Sequence, residues 1–346
     1  MNLQLQDAPL PARRIPAWEQ ALLDLARASS ERQLGLAVVG EPADLVGRYQ
    51  RIANAGIQAG RTGSDRPSDP LLVRRLTGGC GYRVDAGAWV VLMALPRLEE
   101  LAAVGAAPLT VPKLLNRYVR PFLSGLNHIG ARSFYPGRDR LRAGEGLLAM
   151  LSFHLEAEGP VLLELLVNAA RGSLELEPMA DRLGIPRACW PELRPLVCFE
   201  QIGAGSASLA SFAAAVGHHL KRAHGIELIP ADPMDPERLP APLAPPLEEP
   251  ACQGCRGTWS TGQLGELWIG ARVEGGRLSA FHLRGAFLGA PSTLDAVERS
   301  LVGSTLDCAE LLGRLEVAGG AGPLLGLGAH QPLVDTIVRA SRAGLS

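Results

Sequence analysis

The chain has 346 residues, 47% of them hydrophobic, with a formal net charge of -1 and a pI near 6.7. Length and apolar content suffice for two folded units, and the near-neutral charge excludes a global field that would draw the chain onto nucleic acid or an anionic membrane surface. The six cysteines are too scattered for a small secreted disulfide scaffold and predict reduced thiols.

The N-terminus shows no apolar run of signal-peptide type, and no stretch approaches the roughly 20 apolar residues of a membrane span, so a cytoplasmic chain without a membrane partner is expected. Ala17 to about Ser29 has helical apolar spacing after Pro16, which suits a first helical turn. Leu34 to Val39 and Leu45 to Val46 then read as strand, turn, strand. Leu71 to Arg75 leads into Thr77-Gly78-Gly79-Cys80-Gly81, and Trp89 to Leu95 leaves it as a continuous apolar strand suited to a buried sheet.

Val111 to Leu126 has helical periodicity, Gly130 to Tyr135 reads as a strand, and Val161 to Val167 fits strand and helix alike. Ser206 to Gly225 is a predicted helix. The proline-dense stretch 231–255 reads as a linker between a larger unit of residues 1–230 and a smaller unit of residues 256–346. In the smaller unit, Leu267 to Val273 and Leu278 to Leu283 flank Glu274-Gly275-Gly276 as a hairpin, followed by short helices over Leu294 to Leu301 and Cys308 to Leu315. The fold class predicted is α+β, a mixed sheet flanked by helices with a small C-terminal α+β accessory domain.

The segment Arg74-Arg75-Leu76-Thr77-Gly78-Gly79-Cys80-Gly81-Tyr82-Arg83-Val84-Asp85 is the richest in chemistry. Adjacent glycines let backbone N–H groups approach a ligand, and arginines offer planar donors to carboxylate or phosphate. The segment matches neither the P-loop nor the dinucleotide fingerprint, and a tight hairpin or bulge accounts for such a turn equally well.

The segment resembles the Arg-Arg-x-Ser/Thr-Gly-Gly-Gly-x-x-x-His-Asp signature of the lipoate-protein ligase and octanoyltransferase family. Upstream, Gly47-Arg48-Tyr49-Gln50 resembles that family's Gly-Arg-x-Gln turn, and downstream Gly137-Arg138-Asp139-Arg140 is similar to its Gly-Arg-Asn-Asp turn. The resemblance runs from about Pro16 to Leu315. It implies a biotin/lipoate ligase-like catalytic domain that binds lipoate and ATP with Mg2+, forms a lipoyl-adenylate, and passes the acyl group to a lysine of a lipoyl-type carrier domain. It further implies that Arg74, Arg75, Thr77, Gly78, Gly79, Cys80, Gly81, Tyr82 and Asp85 line the acid and adenylate pocket, and that Gly137, Arg138 and Asp139 face the nucleotide.

The family's signature lysine follows the Gly-Arg-Asn-Asp turn, whereas Leu141 to Ala149 contains none and only Lys113 and Lys221 occur in the whole chain. Arg142 is the one basic residue inside that stretch and hence the candidate catalytic cation, although a guanidinium differs in bulk and shape from an ammonium. Cys80 replaces the third glycine, Val84 stands where a histidine is usual, and Arg140 occupies an acidic position. No cysteine falls between Gly81 and Ala188, where the octanoyltransferase branch has its nucleophile. Three readings therefore stand: an ATP-dependent ligase, a catalytically degenerate binding or scaffold module, and an ATP-independent acyltransferase.

Cys252-Gln253-Gly254-Cys255 has half the ligands of a zinc site with no second half, so free thiols are expected. His218-His219 lies on a helix where neighbours diverge by about 100°, so the pair cannot grip a metal, and no metal ligands are assigned.

Overall fold

The computed structural model describes residues 1–52, 70–97, 111–137, 139–156, 159–190, 195–239, 255–319, 324–325 and 330–342. Strands of three or more residues are β1 (Asn2–Leu5), β2 (Gln33–Glu41), β3 (Ala43–Val46), β4 (Leu71–Arg74), β5 (Tyr82–Val84) and β6 (Trp89–Leu95). They continue with β7 (Arg140–Ala143), β8 (Gly146–Leu155), β9 (Val161–Val167), β10 (Arg256–Thr261), β11 (Glu266–Glu274) and β12 (Arg277–Gly285). The helices are α1 (Ile15–Ser29), α2 (Val111–Tyr118), α3 (Arg120–His128), α4 (Glu177–Leu183), α5 (Leu209–His224), α6 (Pro291–Leu301), α7 (Cys308–Gly319) and α8 (His330–Arg342).

The main sheet orders its long strands β1-β2-β6-β9-β8, with β1 parallel to β2 and the rest antiparallel. Every residue of β6 and β9 is buried. Strands covered on both faces read as continuous apolar runs instead of alternating ones. Pairing on both sides settles Val161–Val167 as a strand, since a helix could not satisfy two ladders. Helix α1 lies on this sheet through Trp18 and Leu22, and Gly35 on β2 makes the room: a Cβ there would stand 2.6 Å from the Trp18 ring.

The predicted helix over Val111 to Leu126 is two helices. Pro121 sits in the first turn of α3, where its missing N–H costs nothing, and the chain breaks just before it. A second sheet, β5-β3-β4, carries the glycine turn between β4 and β5. The predicted hairpin is β11-β12, with Gly275 and Gly276 at φ 58 and 77, the two positive values that a tight two-residue connection requires.

The C-terminal segment returns to the main sheet. Leu288–Gly289, just after β12, pairs in parallel with β8 at His154, and α6 begins two residues later. Tyr49, from the turn after β3, packs among β11, β12, α6, α7 and α8 in the core of that segment. Among the described residues, no helix is long and apolar enough to cross a membrane. Cys255 is disulfide-bonded, which corrects the expectation of free thiols there; Cys252 lies outside the described residues.

Candidate functional site

Arg75 organises the glycine turn. Its side chain is fully buried and ion-paired with Glu164 on β9. It donates to Thr77 Oγ1 at 2.9 Å, Ser152 Oγ at 2.9 Å and the carbonyls of Gly78 and Cys80 at 3.2 and 2.8 Å. Its guanidinium also lies 4.4 Å over the Tyr82 ring. Thr77 Oγ1 donates to Glu164 at 2.5 Å, closing the network.

A second buried acid, Glu19 on α1, accepts the Leu76 N–H at 2.9 Å. Burial and the neighbouring Glu164 carboxylate push Glu19 up to about 8. Glu19 is therefore protonated at neutral pH, leaving one buried cation facing one buried anion. A second bare carboxylate here would go uncompensated in a low dielectric.

Arg74 turns the other way and donates to the carbonyls of Gly47, Arg48 and Gln50 at 3.1, 3.0 and 2.8 Å. It fixes the Gly47–Gln50 turn against the glycine turn, an approach so close that a Cβ on Gly47 would stand 2.0 Å from the Gly79 carbonyl oxygen. The glycine amides are engaged too. Gly78 N–H donates to the Phe153 carbonyl at 3.1 Å and Gly79 N–H to the Phe287 carbonyl at 2.6 Å. The sequence reading assigns these donors to a ligand, whereas in this structure they bind the chain itself.

The other predicted residues are dispersed. Cys80 is buried, its Sγ is 3.3 Å from the Leu264 carbonyl, and burial pushes its thiol well up, so it is poorly suited to nucleophilic work. A Cβ on Gly81 would stand 2.9 Å from Gln50 Oε1 and 3.1 Å from the Leu45 carbonyl oxygen. Asp85 sits beyond the far end of β5 and accepts the Ala86 N–H at 2.7 Å. Gly137 is exposed at φ 92, Asp139 is buried beside Arg140 at 3.1 Å, and Arg138 lies outside the described residues. Arg142 pairs with Glu145 at 3.2 Å and lies 5.1 Å from the Phe134 ring centroid, contacts that direct it away from the glycine turn.

Divalent metal fits these residues poorly. Among the described residues no three His, Cys, Asp or Glu side chains converge, and the Asp139 carboxylate already faces the Arg140 cation.

Beside the glycine turn opens a cleft of about 310 Å³, lined by Gln20 and Arg27 of α1, Arg48, Leu76, His154 and Glu156 around β8, and Pro291 and Ser292 of α6. Arg27 binds both Glu156 oxygens at 2.8 Å, and Glu156 is held down to about 2, first by its contact with His154 and then by Arg27. Burial lowers His154, keeping its ring neutral, and its Nδ1 is buried without a partner. Sequence reasoning missed Glu19, Glu164, Ser152 and His154. The legible signal is an acid inside an apolar run, as in Val-Leu-Leu-Glu-Leu-Leu-Val, because a buried acid demands a buried partner.

No protein-family model and no curated protein matches the sequence. The fold, by contrast, has counterparts among solved structures. The fold is similar to that of LipL1 of P. falciparum in complex with lipoate, at 11% identity and a TM-score of 0.60, over 98% of this chain and 97% of that one. It is also similar to lipoate-protein ligase A bound with ATP, at 12% identity and a TM-score of 0.49 over 68% of this chain and 90% of that one. The bipartite lipoate protein ligase of Thermoplasma acidophilum, studied with its E2 lipoyl domain, aligns at 11% identity and a TM-score of 0.49 over 68% of this chain and 88% of that one. Taken with the glycine turn and its two flanking turns, the similarity to LipL1 shows that the chain has the lipoate-protein ligase fold.

Proposed function

We propose that the chain is a lipoate-protein ligase-like protein that binds a lipoyl-type carboxylic acid and acts on a lipoyl-type carrier domain. The observation that carries this reading is the likeness to a lipoate-bound structure across 98% of the chain, C-terminal segment included. In such chemistry the acid displaces pyrophosphate from ATP to give an acyl-adenylate. A carrier lysine amine then attacks the carbonyl, releasing AMP. Incubation with lipoate, ATP, Mg2+ and an apo lipoyl domain tests it: pyrophosphate together with a carrier heavier by the acyl group is the expected result.

One observation favours a second reading, a binding module that does not adenylate. The Gly78 and Gly79 amides are held by the Phe153 and Phe287 carbonyls, and Arg142 is engaged by Glu145 and Phe134, so these three donors are turned away from an α-phosphate. The same assay separates the two, since lipoate binding with neither pyrophosphate nor acylated carrier belongs to the second. Acylated carrier formed only from a preactivated acyl donor would identify an ATP-independent transferase.

A further inference from the structure

Helices α2, α3 and α5 contain Lys113, Arg117, Arg120, Lys221 and Arg222 but no Asp or Glu, in a chain whose formal net charge is -1. Both lysines of the chain are among them. The helices form one layer: α2 runs into α3 across Val119, and a Cβ on Gly125 of α3 would stand 2.7 Å from the Phe212 ring of α5. That layer covers the face of the main sheet opposite α1. Phe212 lies 5.9 Å from Trp89, the ladder partner of Val38 on β2. Gly35, which receives Trp18 of α1, is three residues from Val38 and so faces the other side. Glu164 pairs with Leu92, itself the partner of Gly35, which puts the Arg75–Glu164 network and the glycine turn on the α1 side.

The arginines of this layer lack partners. Among the described residues Arg117, Arg120, Arg132 and Arg222 make no side-chain hydrogen bond or ion pair. Arginines elsewhere meet acids, as Arg83 does Asp44, Arg284 Glu298 and Arg314 Glu310. Lys221 pairs with Glu227 at 2.7 Å. The cations also crowd the α5 histidines. Burial, and then the charges of His224, Arg222, Arg120 and His218, lower His219; burial, and then Arg117 and Arg32, lower His224. Helix dipoles account for part of the pattern, because Lys221, Arg222 and His224 occupy the last turn of α5, where a cation is favourable. They do not account for Arg120, the first residue of α3, where a cation is unfavourable.

We propose that the α2–α3–α5 layer is a docking face for an acidic protein surface. Complementary charge is the argument. Unpaired guanidinium groups on three adjoining helices present forked N–H donors to carboxylates, and an acidic partner would relieve the repulsion among them. His218, Lys221 and Arg222 stand at i, i+3 and i+4 on α5, are exposed, and form one stripe, with exposed Arg120 on the neighbouring helix. The aromatic side chains of the layer, Tyr118, Phe122 and Phe212, are all buried. That leaves no stacking platform for the bases of a single strand and no aromatic anchor for a bilayer surface, so a protein partner fits better than either. The docking face does not rest on the ligase-like reading, because the glycine turn lies across the sheet from it.

Fluorescence anisotropy of a labelled oligo-glutamate titrated with the full chain tests this. Binding is expected at low ionic strength and should weaken as salt is raised. The triple variant Arg117→Gln, Arg120→Gln, Arg222→Gln is expected to bind at least about tenfold more weakly. A control triple, Arg187→Gln, Arg238→Gln, Arg272→Gln, removes the same charge from exposed pairs with Asp181, Asp235 and Glu274 and should leave affinity within about twofold. Arg120→Gln alone takes an unfavourable cation from a helix start, so it should weaken binding about threefold with no fall in Tm, which separates lost docking from unfolding. Absence of binding, equal losses in the two triples, or tighter arginine-dependent binding of single-stranded RNA or phosphatidylserine vesicles overturns the proposal. Self-association abolished by the first triple also overturns it, since the occupant would then be a second copy. A chain that binds oligo-glutamate as expected, yet neither binds lipoate nor acylates a carrier, keeps the docking face and loses the ligase-like reading.

Discussion

Gln50 Nε2 donates to Glu266 Oε1 at 2.6 Å, joining the turn after β3 to the first residue of β11. Gln50 is committed at both ends, since its Oε1 also accepts the Gly47 N–H at 2.9 Å. Two further bonds cross the same seam, Gly285 N–H to the Tyr49 carbonyl and Tyr49 O–H to the Gly289 carbonyl, both at 2.8 Å. The turn resembling Gly-Arg-x-Gln is thus the hinge pin between the glycine turn and the C-terminal sheet.

Burial pushes Glu266 up to about 7. A carboxyl raised this way binds its proton more tightly in the folded chain than in the unfolded one, so its contribution is complete below its ordinary value and is lost as pH rises to 7. The shift corresponds to about 3 kcal/mol. His154, His219 and His224, all lowered by burial, act in the opposite sense below 6.5. The Glu266 contribution is therefore read as the difference in Tm between the parent chain and Glu266→Gln from pH 5 to 8, with Glu19 acting in the same direction as Glu266 towards 8. Glu266→Gln keeps an acceptor for Gln50 and should raise Tm at pH 8 while flattening the slope; a slope identical to the parent chain's would refute the assignment.

Arg75 and Glu164 are both fully buried, so removing either alone strands a charge. Arg75→Ala or Glu164→Ala should each destabilise by about 3–5 kcal/mol, whereas the double replacement Arg75→Met with Glu164→Leu should recover much of that loss. Urea midpoints of the four proteins measure the coupling. Additive losses would mean that the pair does not interact, and selective loss of acid binding at full stability would return Arg75 to the ligand-binding role.

The contrast between these residues and their sequence-level reading shows what the chain made legible. The glycine turn, the β6 strand and the β11-β12 hairpin were readable because their causes are local: adjacent glycines, an unbroken apolar run, and a Gly-Gly turn between alternating segments. The direction in which Arg74 and Arg75 point was not, because it depends on Glu164, 89 residues away, and on carbonyls of the preceding turn. The terminal helix α8 and strand β1 also escaped the sequence reading. β1 is four residues long and exists only as the parallel neighbour of β2, a partner that no local pattern reveals.

Gly78 and Gly79 are adjacent but are glycines for different reasons. A Cβ on Gly78 would meet the Phe287 carbonyl oxygen at 1.9 Å, while Gly79 has φ 89 and 3.3 Å to its nearest neighbour, Ser152 Oγ. Gly79→Ala should therefore cost about 1–2 kcal/mol of backbone strain without moving the C-terminal segment. Gly78→Ala should push Phe287 away, releasing the Gly79 amide and raising hydrogen exchange across residues 285–289. Equal exchange in the two variants would mean that the carbonyl contact does not hold the turn closed.

Arg142 decides between the catalytic and the structural readings of the lysine-free stretch. It lies opposite Leu147 in the β7-β8 ladder, and its charge goes to Glu145, a side chain 88% exposed, with the partly exposed Phe134 beneath. Exposed pairs of this kind contribute less than about 1 kcal/mol. Arg142→Ala should then leave the urea midpoint and lipoate affinity unchanged, and should leave any pyrophosphate release unchanged as well. If the guanidinium instead replaces the family's lysine at the phosphate, the same variant abolishes pyrophosphate release while still binding acid. That outcome would require Arg142 to leave Glu145 and Phe134, and the Gly78 and Gly79 amides to leave the Phe153 and Phe287 carbonyls. The two movements would have to occur together, because a cation at the α-phosphate stabilises little while the backbone donors beside it remain turned inward.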